Sequence, residues 1–273
     1  MYWKKIIRNV FRRLPLSFAE NVDGSQPGSA SLGRKNFVIL TQRRSGSNFL
    51  ILLLNQHPQI ICHSELFDRK LCWTEPKTSF FEPGNLIIRL LKNLFPITFL
   101  RFILNEKNRI SGFKIFSDHN SKVLNYLSRN NNIKVIILKR QNFLKREISE
   151  QVALKTGAYI QFSENKNVED ITFDVDKLRD NYNNYTVFFK DFINGLKDDK
   201  RDFCVVHYED LISENYGVAM RQISDFLGLD SWAFNINKVP SKRQGTRPMS
   251  NVLKNYDQVK EELKGSIFES MCD

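Results

Sequence analysis

Apolar positions along this chain follow two patterns that alternate in order. Short, nearly continuous apolar runs, typical of buried strands, are separated by longer segments in which apolar residues recur at helical spacing. The strand-like runs occupy residues 37–40, 110–116, 133–138 and 203–206. This alternation predicts a single α/β domain with a mainly parallel sheet of about four or five strands and helices on both faces.

The helical segments are predicted from the same periodicity. Residues 86–104 look helical with a break at Pro96, because proline cannot continue a helix without losing a hydrogen bond. Residues 175–196 carry aromatic side chains at helical spacing, which predicts a long helix with a buried aromatic face. A final helix is predicted at about 251–263, and residues 158–174 have the alternation of an extended or hairpin segment.

The charge of the chain points to an anionic partner. It has 41 lysine and arginine residues against 30 aspartate and glutamate, a net charge of +11. Nucleic acid, an anionic membrane surface and an anionic cofactor all fit this excess, as does a solvated basic surface with no partner. The four cysteines show no Cys-x-x-Cys or metal-type spacing, and so few fit a reduced compartment.

The first residues form a segment of their own. Residues 1–35 divide into a basic stretch and a linker rich in Gly, Ser, Asn and Pro, which leaves 36–273 as the main domain. Residues 1–20 interleave apolar and basic residues and lack the apolar run of a signal peptide or a membrane span. We therefore expect a cytoplasmic protein in which this stretch either contacts an anionic membrane or packs on the domain.

Basic and small polar residues follow directly after the strand-like run at 37–40. The chain then enters a second apolar run, which predicts a helix of about ten residues leading to Pro58. A strand–loop–helix turn directs backbone N–H groups and the positive end of the helix dipole at one point, which suits a phosphate or a sulfate. Gly46 lets the backbone approach that anion. The side chains that add donors or charge are Arg43, Arg44, Ser45, Ser47 and Asn48. A polar turn without a ligand is the alternative interpretation.

Further candidate residues lie near the ends of other apolar runs. Glu65 ends the apolar stretch that follows the loop, and Lys114 lies inside an apolar run, where burying an ammonium is costly unless it meets an anion. Lys114 either reaches a bound anion or snorkels to water from an edge strand. His119 follows the same run, and Arg140 follows the run at 133–138. Since ligands of open α/β sheets bind at the carboxyl ends of the strands, these residues are candidates for one site.

The loop does not match the Walker pattern Gly-x-x-x-x-Gly-Lys-Ser/Thr, which argues against an Mg-dependent ATPase or GTPase. It resembles the 5′-phosphosulfate loop of sulfotransferases that use 3′-phosphoadenosine 5′-phosphosulfate (PAPS), roughly Thr-x-Pro-Arg/Lys-Ser-Gly-Ser/Thr-x-x-Leu. The match runs from Thr41 to Leu50, with Arg43 where proline is usual. Further elements in family order extend the resemblance over about residues 36–264. The bacterial carbohydrate branch, with the Nod-factor and trehalose 2-sulfotransferases, resembles the chain most.

The resemblance implies a P-loop-like three-layer fold and in-line transfer of the sulfuryl group from PAPS to a hydroxyl of a carbohydrate or glycolipid acceptor. Glu65 matches the catalytic base of the bacterial branch, and His119 is the alternative base. Arg44 and Lys114 would neutralise charge on the transferred group. Because a sulfuryl group carries less negative charge than a terminal phosphate, we expect no metal. The insertion at 68–108 either lines the acceptor pocket or covers the sheet.

The resemblance also assigns the nucleotide site. Arg140 and Ser149 match the arginine and serine that clamp the 3′-phosphate, although their spacing is one residue longer than in the animal cytosolic enzymes. Tyr208 matches a tyrosine that sits against the adenine. The implied 5′-end residues are Arg43, Arg44, Ser45, Gly46, Ser47 and Asn48, and a basic loop over the nucleotide supplies Lys242, Arg243 and Gly245. That loop is equally well explained as a solvated surface loop.

Two other functional classes remain open from the residues alone. One is a basic nucleic-acid-binding module, which the net charge favours, but none of the known DNA- or RNA-binding signatures is present and we expect no nucleic-acid partner. The other is a non-catalytic relative that binds a nucleotide or a membrane and keeps the PAPS loops. Binding of the product without transfer would distinguish this second class from an enzyme.

Overall fold

The computed structural model describes most of the predicted domain. The described residues are 35–68, 86–106, 109–157, 171–230, 234–239 and 248–272. The N-terminal stretch 1–34, most of the predicted extended segment at 158–174, and the three loop residues Lys242, Arg243 and Gly245 lie outside them. No helix in the described part of the chain is long and apolar enough to cross a membrane.

Five strands form one sheet in which every neighbouring pair is parallel. The strands are β1 (Asn36–Thr41), β2 (Ile60–Glu65), β3 (Ile110–Phe116), β4 (Ile133–Lys139) and β5 (Phe203–His207). Their order across the sheet is β2-β3-β1-β4-β5. The three inner strands are almost entirely buried, as continuous apolar runs predict for a parallel sheet covered on both faces. The predicted sheet is therefore confirmed.

Helices cover both faces of the sheet. The α-helices of the described residues are α1 (Ser47–Leu54), α2 (Leu86–Leu94), α3 (Pro96–Ile103), α4 (Ser121–Arg129), α5 (Phe143–Thr156), α6 (Val175–Asp198), α7 (Tyr208–Ile212), α8 (Tyr216–Leu227) and α9 (Tyr256–Leu263). Alternate residues of β1 belong to two separate apolar clusters, one on each face of the sheet. Val38 and Leu40 pack with residues of the six helices α2, α3, α4, α5, α6 and α9. Phe37 and Ile39 pack with residues of α1 and α8. The three-layer architecture is thus confirmed.

The C-terminal region differs from the prediction of one helix at about 251–263. A short 3₁₀ turn at Met249–Asn251 precedes α9, which begins only at Tyr256. The intervening residues pair with the segment before α6: the Asn255 side chain accepts from the Phe173 N–H and donates to its carbonyl, both at 2.9 Å. A β-bridge between Ile171 and Leu253 extends this pairing. Tertiary hydrogen bonds therefore replace the first predicted helical turn.

Candidate active site at the carboxyl edge of the sheet

The loop between β1 and α1 has the backbone geometry of an anion site. Arg44 and Gly46 adopt the left-handed region, with φ of 63° and 79°, and Ser45 between them does not. Alternation of this kind turns successive N–H groups toward one side, which forms an anion-binding nest. The Ser45 hydroxyl is buried and has no hydrogen-bond partner among the described residues. The loop thus offers donors that the described residues do not satisfy.

Tyr208 closes one side of this loop. A Cβ atom built on Gly46 would lie 2.1 Å from Cδ2 of the Tyr208 ring, so the ring rests against the glycine backbone. The guanidinium of Arg140 lies over the Tyr208 ring, 5.1 Å from the ring centroid. Tyr208 is the first residue of α7, at the carboxyl end of β5. The structure therefore brings the predicted adenine-site tyrosine to the predicted phosphosulfate loop.

Replacing Gly46 with alanine should abolish most nucleotide binding. An alanine must adopt a left-handed φ of 79° and displace the Tyr208 ring, so both the loop and its neighbour shift. We expect the affinity for 3′-phosphoadenosine 5′-phosphate (PAP), measured by calorimetry, to fall about 5–30-fold, the effect of the roughly 1–2 kcal/mol of strain at such a residue. Gly217→Ala, where a Cβ meets no atom within 4 Å, is the control. Unchanged affinity in Gly46→Ala would show that the loop does not contact the nucleotide.

Arg140 and Ser149 both contact Arg44. Arg140 donates from Nη1 to the Arg44 carbonyl at 3.0 Å, and Arg44 donates from Nε to the Ser149 hydroxyl at 2.9 Å. The two residues predicted to clamp the 3′-phosphate therefore both bond to Arg44, Arg140 to its backbone and Ser149 to its side chain. Arg140 directly follows β4 and Ser149 lies on α5, so the end of the strand and the following helix hold the loop between them. The Arg140 Nε is buried without a partner in the described structure.

Arg146 is a site residue that the sequence prediction missed. It is buried, donates from Nη1 to the Arg43 carbonyl at 3.1 Å and pairs with the carboxylate of Glu147. Its Nε atom is a further buried donor without a described partner. Burial is the main cause that lowers the pKa of Arg146. The helical spacing of three residues between Arg146 and Ser149 places them on one face of α5, and this signal was available in the sequence.

Lys114 and Glu65 form an ion pair at the opposite end of the loop. Lys114 is 2% exposed, its Nζ lies 2.9 Å from Oε1 of Glu65, and it also donates to the Asn48 side-chain oxygen. The alternative that Lys114 snorkels to water from an edge strand is wrong, because β3 is an inner strand. Burial lowers the pKa of Lys114, and the charge of Glu65 opposes that shift. A carboxylate, an ammonium and the start of α1 thus meet at one point.

Arg43 and His119 lie on the same side as this pair. The Arg43 guanidinium contacts Asp118 at 2.5 Å and lies 5.0 Å from the centroid of Phe116, so it turns away from Ser149. His119 is buried beside Glu65. Asp118 and His119 follow directly after β3, and polar residues at that position are the sequence signal that predicts them. Of the two loop arginines, the structure directs Arg44 toward α5 and Arg43 toward β3.

The carboxyl ends of β4 and β5 are tied together by Glu209. Its carboxylate accepts from the backbone N–H groups of Gln141 at 3.0 Å and Asn142 at 3.2 Å. Asn142 in turn caps α5 by accepting from the Lys145 N–H at 2.8 Å. These bonds fix the turn that presents Arg140 and the helix that carries Ser149.

The family whose description is "Sulfotransferase domain" matches residues 34–269 of the chain. The chain belongs to this sulfotransferase family. Nodulation protein H of Rhizobium tropici is 26% identical to this sulfotransferase over 242 residues, which are 84% of this chain and 89% of that protein. Family membership confirms the predicted enzyme class, and it does not favour the nucleic-acid-binding alternative.

Two solved structures match this sulfotransferase over most of its length. A sulfotransferase from Alicyclobacillus acidocaldarius has a TM-score of 0.41 at 15% identity, with 87% of this chain and 92% of that chain covered. The mouse sulfotransferase SULT7A1, complexed with PAP, has a TM-score of 0.42 at 10% identity, with 87% of each chain covered.

Proposed function

We propose that this sulfotransferase transfers the sulfuryl group of PAPS to a hydroxyl group of a carbohydrate or glycolipid. The observation that carries the proposal is the ion pair between the buried Lys114 and the partly exposed Glu65 beside the β1–α1 loop. It supplies a proton acceptor and a cation at the place where the loop and the start of α1 would hold an anionic donor. The family uses PAPS as its sulfuryl donor, which supports the choice of nucleotide.

The residues around the loop fit a nucleotide with two phosphate groups. Ser45 Oγ, Arg140 Nε and Arg146 Nε are buried donors without a described partner, and buried polar groups of this kind are normally satisfied. An arginine is suited to phosphate because its planar fork can donate two parallel hydrogen bonds. We assign Arg140 and Ser149 to the 3′-phosphate, Arg44 and the loop N–H groups to the phosphosulfate, and Tyr208 to the adenine.

Transfer then depends on a few groups of this chain. Glu65 accepts the proton of the acceptor hydroxyl as its oxygen attacks sulfur in line with the departing phosphate. When Glu65 becomes neutral, the ammonium of Lys114 loses the charge that balanced it. Its positive charge then acts on the negative charge that develops on the sulfuryl oxygens and the leaving phosphate. Arg44 contributes in the same way from the other side of the loop.

The match of Glu65 to the base of the bacterial carbohydrate branch supports a sugar hydroxyl as the acceptor. Cys62, Cys204 and Cys272 are buried in the apolar core, and so few cysteines in a chain of this length fit a reduced compartment such as the cytoplasm. Contact of residues 1–20 with an anionic membrane would bring the site close to glycolipid acceptors.

The test is a transfer assay with PAPS labelled in the sulfuryl group and a panel of cell-envelope glycans and glycolipids. We expect the label to move to a sugar hydroxyl. Tight PAP binding without transfer to any acceptor would instead identify a non-catalytic relative. Salt-sensitive binding to arbitrary DNA, with no response to PAP, would support a nucleic-acid-binding protein.

Glu150 should make nucleotide affinity depend on pH. This residue of α5 has a buried carboxylate oxygen without a described partner. Burial raises the pKa of Glu150 from its usual value of 4.5, and the charges of Arg43, Arg44 and Arg146 oppose the increase. Above that pKa an ionised Glu150 repels a phosphate held by the same arginines. At a pH below the usual pKa of 4.5, the protonated carboxyl group contributes to the stability of the folded protein. This contribution to stability is lost as the pH rises through the raised pKa of Glu150.

We therefore expect Glu150→Gln to bind PAP about 5–30-fold more tightly than the wild type at neutral pH, the effect of removing roughly 1–2 kcal/mol of repulsion. The ratio of the two affinities should approach one as the pH falls through the pKa of Glu150, because the wild-type carboxyl group then becomes neutral as well. The titration of the PAP phosphates changes both affinities by the same factor, so it cancels in the ratio. Glu214→Gln, an exposed position, is the control. A ratio that does not change with pH would contradict this role of Glu150.

A further inference from the structure

Glu65, Asp68 and His119 form a polar cluster at the carboxyl edge of the sheet. Each brings a side-chain nitrogen or oxygen atom to within 4.8 Å of the other two. Asp68 lies shortly after β2 and His119 shortly after β3, and these two strands are neighbours. Asp68 and His119 are not needed for the proton transfer assigned to Glu65, so their position beside it calls for another explanation.

The His119 ring in this cluster carries a buried donor with no described partner. The side chain is only 8% exposed, and its Nε2 atom is buried without a hydrogen-bond partner in the described part of the chain. Its Nδ1 atom accepts from the Phe116 N–H at 3.4 Å, so the hydrogen of the neutral ring belongs on Nε2. Burial lowers the pKa of His119 and thereby favours that neutral form at neutral pH.

The backbone at Asp68 is also held in place. Lys92 of α2 is 1% exposed and donates from Nζ to the Asp68 carbonyl oxygen. A buried lysine is costly, so this bond fixes the segment after β2 against the helix. The Asp68 carboxylate is therefore presented from an anchored segment, as binding sites require.

The chemistry of the cluster suits a hydroxyl group better than a metal ion. Two carboxylates and a histidine can bind a divalent cation, but the cation needs a ring nitrogen with a free lone pair. Here Nδ1 accepts a backbone hydrogen bond and Nε2 carries the hydrogen. The ammonium of Lys114, 2.9 Å from Glu65, would also repel a cation. A hydroxyl, in contrast, donates to a carboxylate and accepts from an N–H.

We infer that Asp68 and His119 bind the hydroxyl group next to the one that Glu65 deprotonates, so that the acceptor is a vicinal diol of a sugar ring. The inference rests on the proposed function and narrows its acceptor. An oxygen about 2.8 Å from each of two atoms can bridge a gap of 4.8 Å, so one hydroxyl reaches both side chains. Asp68 accepts its hydrogen and His119 donates to its oxygen, and Glu65 stays available for the reacting hydroxyl.

The first test uses the wild-type enzyme. Labelled PAPS is supplied with a panel of methyl hexopyranosides, and the best acceptor is compared with its monodeoxy analogues. Removing the hydroxyl next to the sulfated position should lower kcat/KM about 10–100-fold, because a buried hydrogen bond to a charged group is lost. Removing a hydroxyl on the far side of the ring should have a much smaller effect. This comparison needs no variant and does not depend on the folding of one.

The second test assigns the preference to the two side chains. In Asp68→Asn and His119→Gln, KM for the diol sugar should rise more than kcat falls, and the advantage over the neighbouring deoxy analogue should shrink to a few-fold. Asp176→Asn, an exposed position on α6, should keep the full preference. PAP binding and Tm are measured for each variant to establish that it is folded.

The outcomes separate the two proposals. Transfer to the sugars with equal kcat/KM for the diol and its neighbouring deoxy analogue would overturn the vicinal-diol inference and leave the carbohydrate acceptor intact. A diol preference that persists in full in both variants would also overturn it, because other residues would then recognise the hydroxyl. PAP binding with no transfer to any sugar would overturn the carbohydrate acceptor, and the vicinal diol with it.

Discussion

Replacing Glu65 with glutamine should lower the rate of sulfuryl transfer about 10²–10⁴-fold, the usual contribution of a general base. Glutamine keeps the shape and can still accept a hydrogen bond from Lys114, which lies 2.9 Å away, but it cannot take a proton. The affinity for PAP should barely change, because Glu65 faces the acceptor and its charge is balanced by Lys114. Single-turnover transfer and a PAP titration measure the two effects separately.

A matched control is available for this substitution on the surface of the protein. Glu261 pairs with Lys264 at 3.3 Å, with both side chains largely exposed, so Glu261→Gln removes the same charge from the same kind of pair far from the sheet edge. Its transfer rate should equal that of the wild type. If Glu65→Gln also transfers at a near-normal rate, the proton acceptor is not Glu65.

Replacing Arg140 with alanine should abolish most of the stabilisation that PAP confers. A ligand present at a hundred times its dissociation constant stabilises the folded state by about 2.7 kcal/mol, which corresponds to a rise in Tm of roughly 5–10 °C for a chain of this size. Arg140 is partly desolvated, and its Nε has no described partner, so its loss removes a charged donor from the proposed 3′-phosphate site. The measurement is the shift in Tm between nucleotide-free and PAP-saturated protein.

The shift, and not Tm itself, is the informative quantity. Arg140 also donates to the Arg44 carbonyl, so the variant should melt at a lower temperature even without nucleotide. Arg221→Ala, at an exposed position on α8, should keep the full shift. An unchanged wild-type Tm at saturating PAP would contradict the assignment of PAPS as the donor.

Local features allowed most of the fold to be predicted. Continuous apolar runs predicted four of the five strands. The fifth strand, β2, lies in a short apolar stretch, and periodicity alone does not distinguish a buried strand from a buried helical segment there. The break at Pro96 also separates α2 from α3. The predicted start of the last helix was wrong because Asn255 bonds to the distant Phe173, a contact that no local pattern reveals.

The structure brings several of the predicted site residues together, and their contacts with one another were not predicted. Arg140 and Ser149 were expected to contact one phosphate, and the structure shows that each also bonds to Arg44. Arg146 and Glu150 were missed because charged residues on a helix usually face water, and here α5 turns that face toward the loop.

The sequence by itself determined the α/β fold class, the loop that can hold an anion and the set of polar residues at the ends of the strands. These follow from local rules, since strand length, turn residues and the helix start are properties of neighbouring positions. Only the tertiary structure decided which of those residues meet. Because β3 lies between β2 and β1, Lys114 is held beside both Glu65 and the loop, and it is buried too deeply to reach water. Strand order is set by packing between distant segments, so this pairing could not be read from the order of residues along the chain.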